Sequence, residues 1–190
     1  MSLQTLKKDD NSDLASRCSQ AIARIVELKI NFLALDFDQT ILDIHTGGVW
    51  KGAIDELCSH VRPLFRQLIV SAHTASIKIA IVTFSPQVEH IVEVLETHFP
   101  SFAHDILIRG RDQSWAYEGN GMKEGKQSFM ASAAEEFEAK YPKIEITRNT
   151  TLLVDDDSNN IRLALKNGVR GIWFDPHDSD LLLKNMVVLR

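Results

Sequence analysis

Asp36 and Asp38 stand one residue apart at the end of the apolar run Phe32-Leu33-Ala34-Leu35, and Thr40 follows two positions later. On a strand, positions i and i+2 point the same way, so this spacing sends both carboxylates out on one side where the backbone leaves a sheet. Two carboxylates about 4 Å apart repel by roughly 4 kcal/mol at an effective dielectric of 20, and such a pair asks for a cation or a shared proton. With 15 Asp and 9 Thr in 190 residues, Asp-x-Asp-x-Thr is expected by accident only about 0.05 times. The plainer alternative is an acidic strand exit in which Thr40 caps the next turn.

The elements around this pair alternate between helical and strand patterns. Leu14, Cys18, Ala21, Ile22, Ile25 and Val26 recur at helical spacing, so a packed helix over 13–28 precedes the first strand, and residues 1–12 read as a disordered lead-in. Pro63 opens a helix whose inward stripe is Leu64, Phe65, Leu68, Ile69 and Ala72. Ile77–Val82 is a strand ending at Thr83, after which Ser85-Pro86 caps a helix with Val88, Ile91, Val92, Leu95 and Phe99 inward. Residues 105–108 form a short third strand, and a Gly-containing loop leads to a helix that buries Phe129, Met130, Ala133, Ala134 and Phe137. Residues 151–154 are the fourth strand, 159–166 a short helix closed by Asn167-Gly168, and 169–174 the fifth strand.

Strands apolar on both faces and alternating with amphipathic helices predict a Rossmann-like three-layer α/β/α fold around a central parallel sheet of about five strands, in one domain over 13–190. Ligands of such sheets bind beyond the carboxyl ends of the strands. That rim collects Asp36 and Asp38, Thr83, a Lys at 123 or 126, and the run Asp155-Asp156-Asp157.

The formal net charge of -5 argues against a nucleic-acid partner. Two cysteines, Cys18 and Cys58, are too few for a disulfide framework, and no apolar run approaches a membrane span, so a cytoplasmic protein without a membrane partner is expected. The histidines show no metal-ligand grouping.

Asp36-x-Asp38-x-Thr40, Thr83 closing an apolar strand, a Lys opening a later helix, and an acidic run after Leu152-Leu153-Val154 resemble the four motifs of the haloacid dehalogenase superfamily of phosphohydrolases. The resemblance covers about residues 30–175 and is nearest to small members without a large cap, such as magnesium-dependent phosphatases. It implies that Asp36 is a nucleophile forming an aspartyl-phosphate and that Asp38 is the general acid and base. Thr83 and Lys126 would meet the phosphoryl group, with Lys123 the rival lysine. Mg²⁺ would be the cofactor, held by Asp36, Asp38, Asp156 and Asp155, and Asp157 would instead cap a helix. Thr40, Phe84, Asn160 and His45 are further expected substrate contacts, and residues 45–50 correspond to a flap that is mobile in the resembled family, the alternative being an ordinary turn with a packed Trp50. Two departures are Gln39, where many members carry Gly, and Asn160, where an acid is frequent.

Only 24 residues separate Asp38 from Pro63 and 17 separate Ile108 from Lys126, too few for a sizeable cap domain. The expected activity is Mg²⁺-dependent hydrolysis of a phosphate monoester, on a phosphoprotein or a small phosphorylated metabolite. The alternatives are a phosphotransferase or mutase with the same intermediate, and a non-enzymatic phospho-acceptor signalling domain. The oligomeric state is not readable from the sequence.

Overall fold

Alternation along the strands decides the architecture of the computed structural model, which describes residues 3–116 and 124–190. The strands β1 (Phe32–Leu35), β2 (Lys78–Val82), β3 (Leu107–Arg109), β4 (Thr151–Asp155) and β5 (Arg170–Trp173) form one five-stranded sheet in the order β3-β2-β1-β4-β5. All four pairings are parallel. Leu33, Leu35, Ile79, Ile81, Leu152 and Val154 enter one apolar cluster, and their neighbours Phe32, Ala34, Ala80, Val82 and Leu153 enter the other. A strand buried on both faces needs helices on both sides, and each fully buried Leu, Ile or Phe contributes about 1.5–3 kcal/mol.

The first cluster is covered by α1 (Leu3–Glu27), α2 (Ile54–Ser59), α3 (Pro63–Thr74), α4 (Val88–His98) and the C-terminal helix, and the second by α5 (Gln127–Lys140) and α6 (Ser158–Lys166). The C-terminal helix α7 (Asp180–Val188) buries Leu182, Leu183 and Met186. It is tied to α1 by Arg17, whose guanidinium donates to Asp180 at 2.8 Å. The fold is therefore a three-layer α/β/α arrangement, and between Asp38 and Pro63 it holds only the short α2 rather than a cap domain. Among the described residues no helix is long and apolar enough to cross a membrane.

Several elements differ from the sequence expectation. Helical backbone begins at Leu3, inside the stretch expected as a lead-in, because a helix nucleated by packing extends cheaply into residues without breakers. Val26 and Val92 are exposed, at 46% and 38%, and Val94 takes the inward place in α4. That helix starts at Val88 rather than after Ser85, because the Ser85 hydroxyl instead accepts the Gln87 N–H at 3.2 Å in a local turn. β3 begins two residues late, since 103–105 form a single helical turn before it. Helices α2 and α7 had no counterpart in the sequence reading. The apolar stripe of α3, by contrast, is buried as expected, with Pro63 in its first turn.

The chain runs outward from β1 through β2 to β3 and then crosses to β4 on the other side of β1, so the strand order reverses between β1 and β4. Loops from adjacent strands diverge at such a point and leave a crevice at the carboxyl ends. Leu35 pairs with Val154 there, which brings Asp36 and Asp155 to the same rim.

Candidate functional site

Asp36 is the first residue beyond β1, and its N–H still donates to the Val154 carbonyl at 3.0 Å, which fixes it beside the end of β4. Asp155 is the last residue of β4 and Asp156 the next. The carboxylates of Asp36, Asp155 and Asp156 each offer an oxygen, and these oxygens all lie within 4.8 Å of one another. Lys126, immediately before α5, reaches this group from the helix layer. Its ammonium donates to Asp36 Oδ1 at 2.6 Å and to the Val82 carbonyl at 2.8 Å, and lies 4.1 Å from the centre of the Phe84 ring. It is only 1% exposed, a position that lysine occupies almost solely when paired.

Among the described residues, three carboxylates thus face one ammonium. Burial raises the Asp36 carboxyl well above the usual carboxylate range, with Lys126 opposing the shift and Asp155 adding to it. Burial likewise pushes Asp155 up to about 6, against Lys126 and the Asn160 amide, and raises Asp156 against its bond from Thr40. Among the described residues the cluster is short of positive charge, and an all-oxygen donor set of this kind suits a hard divalent cation. Asn160 strengthens that fit. Its Nδ2 donates to both oxygens of Asp155, at 3.0 and 2.9 Å, while its own Oδ1 is buried without a hydrogen-bond partner among the described residues.

These groups line a cavity of about 250 Å³ together with Asp38, Thr83, Phe84 and His45. A larger cavity of about 700 Å³ lies between α5 and α6, bordered by Gln127, Glu135, Arg148 and Lys166. None of the converging acids reaches it, so the smaller, charged cavity is the candidate site. Thr83 is 2% exposed, and its hydroxyl accepts the Ser85 N–H at 3.1 Å, which shapes the loop after β2 around the cavity.

Two expected site residues, Asp38 and Thr40, take other places, while Asp157 takes the capping place expected of it. Asp38 is not in the group of acids close enough to share an ion. The strand ends at Leu35, so the same-face rule for i and i+2 no longer applies, and an extended Asp38 (ψ 136°) followed by a left-handed Gln39 (φ 58°) turns its carboxylate toward residues 45–46. Gln39 itself adopts the backbone conformation for which Gly is the usual residue. Thr40 is fully buried and does not line the cavity. Its hydroxyl donates to Asp156 Oδ1 and accepts the Asp156 N–H, both at 3.2 Å, so it braces Asp156 across the crevice. Asp157 caps α6, accepting the Asn159 N–H at 2.8 Å. Lys123 lies outside the described residues. Trp115, in the loop after β3, packs edge-on against Phe129.

The segment expected as a flap is held down. Gly47 and Gly48 adopt left-handed φ values of 66° and 70°, and a Cβ on Gly48 would meet Pro86 Cδ at 2.8 Å. The side chain of Gln87 accepts the Trp50 N–H at 2.5 Å and donates to the Trp50 carbonyl at 2.9 Å. Thr46 donates to Asp38, 2.9 Å from either carboxylate oxygen. Sequence reasoning missed the parts played by Thr46 and Gln87. The adjacent Gly47-Gly48 was a signal for a tight turn after Thr46, whereas nothing in the sequence marks Gln87 as its counterpart.

No family model matches the chain, and no curated protein matches it. Among solved structures it is similar to an uncharacterized protein from Corynebacterium glutamicum ATCC 13032, with a TM-score of 0.51 and 18% identity over 85% of this chain and 97% of that one. At that identity the likeness extends to the α/β fold alone.

Proposed function

We propose that the protein is a Mg²⁺-dependent phosphate monoesterase that works through an aspartyl-phosphate on Asp36. The observation that carries this reading is the buried contact of Lys126 with Asp36, set among Asp155 and Asp156 in a cavity that Thr83 and Asp38 also border. A lone surface acid gives no reason to bury a lysine, whereas a carboxylate that must meet an anion needs compensating charge on every side.

Asp36, Asp155 and Asp156 would hold the ion, with Asn160 fixing Asp155. When bound, Mg²⁺ supplies the positive charge that lets a phosphate approach a carboxylate. In the first step an Asp36 oxygen attacks phosphorus, and the bond from phosphorus to the leaving oxygen breaks as Asp38 delivers its proton to that oxygen. Water then attacks the phosphorus of phospho-Asp36 and gives a proton to Asp38, releasing inorganic phosphate and restoring both side chains. Lys126 anchors Asp36 Oδ1 and limits rotation of the carboxylate, and Thr83 offers its hydroxyl to a phosphoryl oxygen.

Purified protein should hydrolyse 4-nitrophenyl phosphate only when Mg²⁺ is supplied, and Asp36→Asn should abolish turnover. Full activity in that variant would overturn the assignment.

A further inference from the structure

Asp38 has to present its proton to the leaving oxygen, yet the turn that carries it is not part of the sheet. What fixes its carboxyl is the segment after it. The Thr46 hydroxyl sits 2.9 Å from both Asp38 oxygens and also accepts the Gly48 N–H at 3.2 Å. His45 is the other candidate, with Nδ1 at 3.3 Å from Asp38 Oδ2, but that nitrogen accepts the Gly47 N–H at 2.9 Å. Its lone pair is therefore spent on the backbone, and the ring is mostly exposed, with 61% of the side chain open. Thr46 is the better-held partner.

The Thr46 turn is in turn seated on the loop that follows β2. Gly48 lies against Pro86 with no room for a Cβ, and Gln87 grips both polar groups of the Trp50 backbone as a neighbouring strand would. Successive side-chain bonds tie that loop down, with the Ser85 N–H on the Thr83 hydroxyl at 3.1 Å and the Gln87 N–H on the Ser85 hydroxyl at 3.2 Å. A continuous set of bonds thus joins Thr83, on the phosphate side of the cavity, to Asp38 on the leaving-group side.

We propose that Thr46 is the positioning residue that aims Asp38 at the leaving oxygen, and that Gln87 acts through Trp50 to hold Thr46 in place. This rests on the phosphatase reading above. It predicts a dependence on the leaving group. A nitrophenolate departs without taking a proton, whereas an alkoxide needs the Asp38 proton as its bond to phosphorus breaks. The ratio kcat/KM covers only the steps through departure of the leaving group, so the later hydrolysis of phospho-Asp36 does not enter it.

The experiment compares kcat/KM for 4-nitrophenyl phosphate and for a simple alkyl phosphate, with Mg²⁺ present, in the wild type, Thr46→Val, Thr46→Ser and Gln87→Ala, each checked for an intact thermal transition. In Thr46→Val the loss on the alkyl ester should exceed the loss on the aryl ester by about 10-fold or more, within the range that general acid catalysis commands. Thr46→Ser should recover most of that difference, and Gln87→Ala should show the same bias at smaller size. Equal losses on the two esters in Thr46→Val and Gln87→Ala, or no recovery by Thr46→Ser, would overturn the positioning role while leaving the phosphatase reading intact. If the wild type hydrolysed neither ester, both would fall together.

Discussion

Lys126 shows how one buried residue can be tested apart from turnover. Its ammonium has Asp36, the Val82 carbonyl and the Phe84 ring around it, and removing it leaves a buried carboxylate without a counter-charge. Breaking a buried pair by deleting one partner costs about 3–5 kcal/mol. Lys126→Met should therefore lose about that much stability in urea unfolding near neutral pH without Mg²⁺, although Met fills the same space. A loss under about 1 kcal/mol would mean that the pair is not formed in solution. At this scale the sequence named Asp36, Asp38, Thr83, a Lys at 123 or 126 and the run Asp155-Asp156-Asp157 as lining one rim, and the structure brings all of these, with Lys126 as the lysine, to one cavity. It did not reveal that Thr40 faces Asp156, because a contact across 116 positions leaves no local pattern.

Element boundaries depend on chemistry that is mostly local, and there the sequence was most informative. Helix α6 begins on the Asp157 cap and ends before Gly168, whose φ of +78° suits a residue without a Cβ. No atom lies within 4 Å of where a Cβ would be, so Gly168→Ala tests the backbone conformation by itself. It should cost about 1 kcal/mol in chemical denaturation, with an unchanged m-value. A neutral or stabilising result would show that the left-handed turn is not maintained. The start of α4 was misplaced for an equally local reason. Ser85 and Pro86 form a plausible helix opening, but the Ser85 hydroxyl is used in a turn before the helix begins.

At the scale of the whole molecule, the site is a cost that folding carries. Carboxyl groups whose native pKa is raised hold protons that the unfolded chain releases, so stability is lost as pH rises from the unfolded value through the native one. For Asp155 that window runs from 3.8 to about 6, and Asp36 and Asp156 shift in the same direction. The metal-free protein should therefore melt at a lower temperature near pH 8 than near pH 5. Because a cation that binds the native state adds stability by mass action, Mg²⁺ should raise the melting temperature more at the higher pH. Scanning calorimetry in EDTA and in Mg²⁺ at both pH values measures this. A Mg²⁺ effect that is absent, or larger near pH 5, would argue against an ion among these three acids.

Alternation of apolar residues and the recurrence of amphipathic helices determined, from the sequence alone, that the chain forms a parallel sheet between helical layers. That pattern reports which side of each element is dry, and dryness is a local property of residue type and period. The same logic placed Asp36, Thr83 and Asp155 at the ends of buried strands. Tertiary structure decided which of these side chains touch. The reversal of strand order between β1 and β4 makes neighbours of acids more than a hundred positions apart, and the end of β1 at Leu35 releases Asp38 from the direction of Asp36 and hands it to Thr46. Spacing along a strand predicts direction only while the strand lasts, and beyond it the geometry belongs to whatever packs against the turn.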